Sequence, residues 1–114
     1  GVQLYRWSQE DTSGTVYGWI QMIELVLARD HVADYILEAR PFLSVADISV
    51  ILRKRRFFME AQAAAVAGKG GRSVVHYVVL VPDVGVHPLA AMVARQQRIQ
   101  LRRPATVASL EGLA

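Results

Sequence analysis

The sequence predicts a single α/β domain built on a mixed β-sheet, in which an antiparallel meander is followed by helices that flank the sheet. Two observations support this prediction. The first part of the chain contains strand-like apolar stretches separated by short turns, and helical patterning begins only after Ser44. Beyond that point helical and strand-like stretches alternate, which is typical of parallel crossover connections. The expected order of elements is β-β-β-α-β-α-β.

The composition fits one globular domain spanning residues 1–114. A hydrophobic fraction of 53% and a charged fraction of 20% are typical of packed rather than disordered chains. The absence of cysteine excludes disulfides and cysteine-ligated metals, and it is compatible with the cytoplasmic location that we expect. No apolar run approaches the roughly 20 residues that cross a bilayer, so no membrane is expected as a partner.

Three strands are expected before the first helix. Val2–Trp7 forms a short strand, and the turn signal "EDTSG" leads into a longer strand over Thr15–Leu27, kinked or bulged near Gly18. The segment "ARDH" then turns the chain into a third strand, Asp34–Arg40. Strands this close in sequence are expected to pair as an antiparallel hairpin.

The first helix carries a start signature in "FLSVADI". Ser44 is the expected N-cap, and Asp47 follows three residues later as its partner. Leu43 and Ile48 can pack together as a hydrophobic staple across this start. An apolar stripe at helical spacing continues from Ile48, and "GKGGR" ends the helix. This glycine-rich segment precedes a strand and lacks the Lys-Ser or Lys-Thr of a phosphate loop, so a turn is the better interpretation.

The remaining elements close the domain. Ser73–Val81 is almost continuously apolar, as expected for a central strand. Pro88 occupies the first position of a second helix, and His87 caps or precedes it. Ile99–Leu101 is a short final strand, and Thr106–Leu113 is either a terminal helical turn or a frayed tail.

Charged residues interrupt the hairpin. Glu38 and Arg40, in "YILEARPFLS", are two apart and therefore share a strand face, while Glu24 lies on the preceding strand. Two carboxylates on adjacent strands can hold one divalent cation, here Mg²⁺ or Mn²⁺, which could support phosphodiester cleavage. The alternative is an ion pair of Arg40 with either acid and no ligand at all.

The order of these motifs resembles the PD-(D/E)xK nuclease superfamily. More narrowly, the chain resembles a group of uncharacterised, coiled-coil-associated nuclease-like proteins of prokaryotes, archaea included. The similar stretches are "DTSGTVYG", "IELVLARDHVADYILEAR", "SVADISVILRKRRFF" and "RSVVHYVVLVPDVGVHPLAAMVARQQRIQL", which together span most of the sequence. The resemblance implies a restriction-endonuclease-like core.

The resemblance also implies functional roles. Glu38 takes the place of the second metal-ligating acid, Glu24 is the best match to the first, and Arg40 stands where the family has its catalytic Lys. Arginine cannot act as a base, although it can hold a phosphate oxygen. The implied function is DNA binding with Mg²⁺-dependent cleavage at an atypical centre formed by these residues, and replacing Arg40 by Lys should restore or raise cleavage. The alternative is an inactive nuclease-fold domain that binds nucleic acid or assembles with other proteins.

The charge balance leans towards a polyanionic partner. The net charge is +3 and the pI is near 9.7. Cations near the first helix and the glycine-rich turn are the expected contacts to the DNA backbone: Arg53, Lys54, Arg56, Lys69 and Arg72. Arg55 falls on the apolar stripe of the helix, where it either extends along the edge of the core or enters the cleft beside Glu38. A homodimer formed through an exposed strand or helix is a further expectation.

Overall fold

A computed structural model describes residues 3–30, 32–65 and 74–104. It confirms the predicted fold class and order of elements. The strands are β1 (Gln3–Asp11), β2 (Gln21–Arg29), β3 (Ala33–Ala39), β4 (Val74–Leu80) and β5 (Ile99–Arg102), and the helices are α1 (Val45–Ala65) and α2 (Pro88–Gln96). A short 3₁₀ turn, Asp83–Gly85, precedes α2. The predicted "GKGGR" turn and the Thr106–Leu113 tail lie outside the described residues.

The five strands form one mixed sheet in the order β1-β2-β3-β4-β5. The pairs β1–β2 and β2–β3 are antiparallel, so the predicted meander is confirmed. The pairs β3–β4 and β4–β5 are parallel. Each parallel pair is connected through one of the helices, because parallel neighbours need a crossover connection. The ends of β3 and β4 therefore lie at the same edge of the sheet, where Ala39 pairs with Leu80; we call it the carboxyl edge.

The hydrophobic core lies between one face of the sheet and both helices. We call this the inner face; it carries Leu27, Ile36 and Tyr77, all fully buried. Ile48 and Phe58 of α1 belong to the same buried cluster, and α2 contributes two alanines. The described part of the chain thus forms two layers, a sheet and a helical layer. None of its helices is long and apolar enough to cross a membrane.

The main departure from the predicted boundaries lies between the first two strands. β1 extends to Asp11, and β2 begins only at Gln21, so residues 12–20 form a loop. The Asp11 side chain is buried and accepts hydrogen bonds from the Val16 backbone N–H (2.8 Å) and the Thr15 hydroxyl (3.1 Å). These bonds divert β-branched residues that favour a strand into a turn around the carboxylate.

Both helix starts agree with the sequence signals. The Ser44 backbone N–H donates to Asp47 Oδ2 (2.8 Å), and the Asp47 N–H donates to Ser44 Oγ (3.3 Å), which is a reciprocal capping box. Helix α2 begins at Pro88, and the Nδ1 atom of His87 caps it by accepting a hydrogen bond from the Leu89 N–H at 3.1 Å. The start of α1 is thereby held directly after β3, above the carboxyl edge.

Candidate functional site

Glu38 lies on the inner face near the carboxyl edge and accepts three hydrogen bonds. Its Oε1 atom accepts from the Lys54 ammonium at 2.8 Å and from the Tyr77 hydroxyl at 2.6 Å. Its Oε2 atom accepts from Arg40 Nη1 at 2.9 Å. The side chain is 15% exposed, so these contacts satisfy a carboxylate that is largely removed from water.

Arg40 extends this arrangement towards the helix. Its Nη2 atom lies 2.8 Å from Asp47 Oδ1, and its Nε donates to the Phe42 carbonyl at 3.1 Å. We call Glu38, Arg40, Asp47, Lys54 and Tyr77 the Glu38 network. It connects β3, the start and middle of α1, and the central strand β4, and its two acids are balanced by two cations.

The protonation states in the Glu38 network follow from burial and pairing. Burial raises the pKa of Glu38, but the hydrogen bonds from Lys54, Tyr77 and Arg40 outweigh it, and the net pKa lies below the usual value. Burial lowers the pKa of Lys54, and the adjacent Glu38 carboxylate more than reverses this effect. Burial, followed by the charge of Glu38, raises the pKa of Tyr77 far above the ordinary value. At neutral pH the carboxylate is therefore charged and both neighbours keep their protons, so neither Lys54 nor Tyr77 is available as a base.

Glu24 does not share the site. Leu27 pairs with Ile36 on the inner face, and side chains alternate along each strand. Glu38 is therefore on the inner face, whereas Glu24 is on the outer face, where it is exposed. The expected pair of metal-ligating carboxylates is not formed. The same alternation places the buried, apolar Leu25 of β2 on the inner face, one position beyond the last β2–β3 pair, Val26 and Leu37.

The residues do not fit the expected Mg²⁺ or Mn²⁺ site. Within the described ranges, no group of three or more His, Asp or Glu side chains could hold a metal ion. Glu38 is engaged by two cations and a hydroxyl, and Leu25, on the inner face of β2, offers no side-chain oxygen. Divalent cations of this class need several oxygen ligands.

The predicted DNA-contacting cations occupy different environments. Arg53 is exposed, and its Nε donates to the Val16 carbonyl at 2.7 Å. Lys54 is bound within the Glu38 network and is only 13% exposed, so the structure removes it from the surface. Arg56 lies on the surface and pairs with Glu60 at 3.1 Å. The two remaining predicted contacts, Lys69 and Arg72, lie outside the described residues.

The Arg55 side chain is neither free in solvent nor located beside Glu38. Its Nη1 atom donates to the Gln97 carbonyl at 2.9 Å, next to the last turn of α2. Burial lowers its pKa, although an arginine stays protonated at any working pH. The side chain thus extends along the core to its rim and satisfies a backbone group at the end of a helix, in agreement with the first expectation.

Three members of the Glu38 network are not predicted to contact Glu38 or Arg40. The sequence predicts Asp47 only as a helix-cap partner, Lys54 as a cation that contacts DNA and Tyr77 as part of a central apolar strand. A signal existed for the lysine: Asp47 and Lys54 are seven residues apart, which places both on one side of a helix. Tyr77 shares the inner face of β4 with Val75 and Val79, but that pattern alone does not identify a hydrogen-bond partner 39 residues earlier.

Comparisons with protein-family models, with curated proteins and with solved structures found no match to this chain. The resemblance to the nuclease superfamily therefore stays a prediction that depends on the order of motifs in the sequence.

Proposed function

We propose that this domain is a non-catalytic, nucleic-acid-binding module. The observation that supports the absence of catalysis is the state of Glu38, whose two oxygens already accept three hydrogen bonds, two of them from cations. A divalent metal would have to displace Lys54 or Arg40 from a carboxylate that is partly removed from water. Leu25, at the neighbouring inner-face position, would supply no second ligand.

The excess of positive charge supports a polyanionic partner. Arginine presents a planar set of N–H donors that matches phosphate oxygens, and it dominates the cations of this chain. Several arginines in the described ranges form no ion pair with a carboxylate, and apart from Arg55, which extends along the core to Gln97, they are the groups able to contact phosphates: Arg6, Arg53, Arg95, Arg98 and Arg102.

The absence of catalysis is tested by metal titration. We expect no heat of binding when Mg²⁺ or Mn²⁺ is added to millimolar concentration in a calorimeter, and no cleavage of plasmid or single-stranded DNA with either metal. Glu38→Gln is the matched variant, because it keeps the shape of the side chain and removes its charge. Metal binding or cleavage by the wild type that disappears in Glu38→Gln would contradict the proposal.

Nucleic-acid binding is tested with a fluorescently labelled oligonucleotide. We expect the anisotropy to rise on addition of the protein at low salt. The affinity should fall linearly with the logarithm of salt concentration, because bound arginines release counterions from the phosphates. Absence of binding at low salt, or affinity that does not change with salt, would reject the proposal.

A second candidate function is assembly with another copy of the chain. Strand β1 lies at the edge of the sheet and pairs along its nine residues with β2, which leaves its other side unpaired within the described part of the chain. Such edges can pair with a further strand. Sedimentation velocity over a range of concentrations distinguishes this candidate, since a dimer would give a larger sedimentation coefficient as concentration rises.

A further inference from the structure

Trp19, in the loop between β1 and β2, is exposed yet held in a defined orientation. The residue is 62% exposed, and its Nε1 donates to Gln21 Oε1 at 2.7 Å. The indole stacks on Tyr17 with 6.0 Å between ring centroids and 26° between ring planes. Tyr17 stacks on one side of the indole, and from the high exposure of Trp19 we take the opposite face to be open. An ordered indole with an open face is a surface on which another planar ring can stack.

The loop that carries Trp19 is closed by its own backbone. The Gly18 N–H donates to the Gly14 carbonyl at 3.0 Å, and Asp11 binds the Val16 N–H. Gly14 has φ +65°, and a Cβ there would lie 3.0 Å from the backbone nitrogen of Trp19. This position therefore favours glycine both for its conformation and for its close contact. A loop ordered in advance loses less conformational entropy when a ligand binds.

Arg53 places a positive charge against the same loop. Its Nε bonds the Val16 carbonyl, which fixes the guanidinium beside the segment that leads to Tyr17 and Trp19. Its two terminal nitrogens have no carboxylate partner within the described ranges, and the side chain is exposed. Arg53 therefore offers unused N–H donors beside the loop that carries Trp19.

We infer that the module binds single-stranded nucleic acid, with a base stacked on the open face of Trp19 and a neighbouring phosphate bound by Arg53. This inference rests on the proposed nucleic-acid binding and names its form. An aromatic platform combined with a cation is the usual means of binding single strands, because every base has a face that can stack. In a duplex those faces are already covered by neighbouring base pairs, so Trp19 favours an unpaired strand.

The test uses the tryptophan fluorescence of the whole chain. Its two tryptophans are Trp19 and Trp7, and Trp7 is partly buried and packs edge-on against Phe57 and Phe58, so its emission serves as the internal reference. A dodecamer of deoxythymidine should quench part of the emission of the wild type, and this quenching should be absent in Trp19→Leu. The affinity of that variant should fall about 5- to 100-fold. Parallel titrations with a ribo-oligomer and with a duplex of the same length compare the affinity for RNA, for single-stranded DNA and for paired strands.

The contribution of Arg53 to binding is tested separately. Arg53→Gln should weaken binding of the single strand and reduce the slope of log affinity against log salt by about one. Arg56→Gln is the matched control, because Arg56 is also exposed on α1 but its charge is compensated by Glu60. We expect the control to bind like the wild type. Equal losses in both variants would overturn the role of Arg53.

The outcomes separate this inference from the proposed function. Duplex binding that equals single-strand binding, without a change in tryptophan emission, would overturn the inference and leave nucleic-acid binding standing. No binding of any oligonucleotide at low salt would overturn both. A change in Trp19 emission that depends on protein concentration without nucleic acid would overturn the inference in favour of contact between two copies of the chain.

Discussion

Lys54 Nζ lies 2.8 Å from Glu38 Oε1, and this contact joins the middle of α1 to the end of β3. The two side chains are 13% and 15% exposed, so neither charge is well hydrated. Taking charges out of water is unfavourable, and the pair is tolerated because each partner neutralises the other. Removing one partner therefore leaves a poorly solvated charge behind.

We expect Lys54→Met to lower the free energy of unfolding by about 2–3 kcal/mol, because Glu38 keeps its charge but loses one of its two cationic partners. The exposed pair of Arg56 and Glu60 provides the control, and Arg56→Met should change stability by less than about 0.5 kcal/mol. Urea unfolding followed by circular dichroism measures both variants. Similar small changes in the two variants would mean that Glu38 is solvated in spite of its location.

The same pair predicts how stability depends on pH. The pKa of Glu38 is lower in the folded chain, so its contribution is present above the unfolded value of about 4.3 and is lost as pH falls through the folded pKa. The pKa of Lys54 is raised by folding, so its contribution is present below about 10.4 and is lost as pH rises through the folded pKa. We expect the free energy of unfolding to be nearly level between about pH 5 and pH 10 and to fall on both sides.

The measurement for this prediction is urea unfolding at a series of pH values. In Glu38→Gln the alkaline decrease should become shallower, because Lys54 no longer has the charge that raises its pKa. A wild-type stability that increases on acidification from pH 5 to pH 3 would contradict the expected sign.

The fold could be predicted because its signals are local. Alternating and helical apolar patterns, the Ser44 capping box and Pro88 each act within a few residues, and together they gave the correct order of elements. The β1–β2 loop could not be predicted in the same way. There, Thr15 and Val16 have strand propensity, and the buried carboxylate of Asp11 overrides it through hydrogen bonds that the sequence does not show.

The candidate site was predicted only in part, because the pairing register was not known. A shift of one residue between β2 and β3 moves a side chain to the other face of the sheet. The sequence predicts Glu24 beside Glu38, whereas the observed register and alternation put Glu24 on the outer face and the buried Leu25 on the inner face. The pairing of Glu38 with Arg40 was among the alternatives and is confirmed, since two residues on one strand face need no register.

Arg40→Lys tests what the resemblance implies for catalysis. The resemblance predicts that lysine here restores or raises cleavage. The structure leads us to expect no cleavage, because Arg40 uses three nitrogens to bind Glu38, Asp47 and the Phe42 carbonyl, while the site lacks a second acid beside Glu38. A lysine cannot reproduce this planar set of donors, so stability should fall by about 1 kcal/mol.

The assay for Arg40→Lys is incubation with plasmid and single-stranded DNA in the presence of Mn²⁺, alongside a thermal melt. The wild type and the Glu38→Gln variant are the controls. Mn²⁺-dependent cleavage that appears in Arg40→Lys and is lost on adding Glu38→Gln would contradict the non-catalytic proposal.

The close packing around Gly85 predicts that adding a single methyl group at this position strongly reduces stability. The residue ends the 3₁₀ turn before α2, and its carbonyl accepts a hydrogen bond from the Leu43 N–H at 2.9 Å. A Cβ at this position would lie 2.1 Å from the Pro41 carbonyl oxygen, a backbone atom that cannot rotate away. We expect Gly85→Ala to lower the free energy of unfolding by about 2 kcal/mol, because the segments after β3 and β4 must separate to make room.

Gly18→Ala is the matched control for this prediction. Gly18 has φ +90°, yet an added Cβ there would meet no atom within 4 Å, so the substitution introduces conformational strain without a steric clash. We expect a loss of about 1 kcal/mol for Gly18→Ala. Urea unfolding compares the two variants, and the larger loss should belong to Gly85→Ala. Without a clash, alanine would stabilise the protein by reducing the entropy of the unfolded chain. A Gly85→Ala variant as stable as the wild type would therefore contradict the close approach of Gly85 to Pro41.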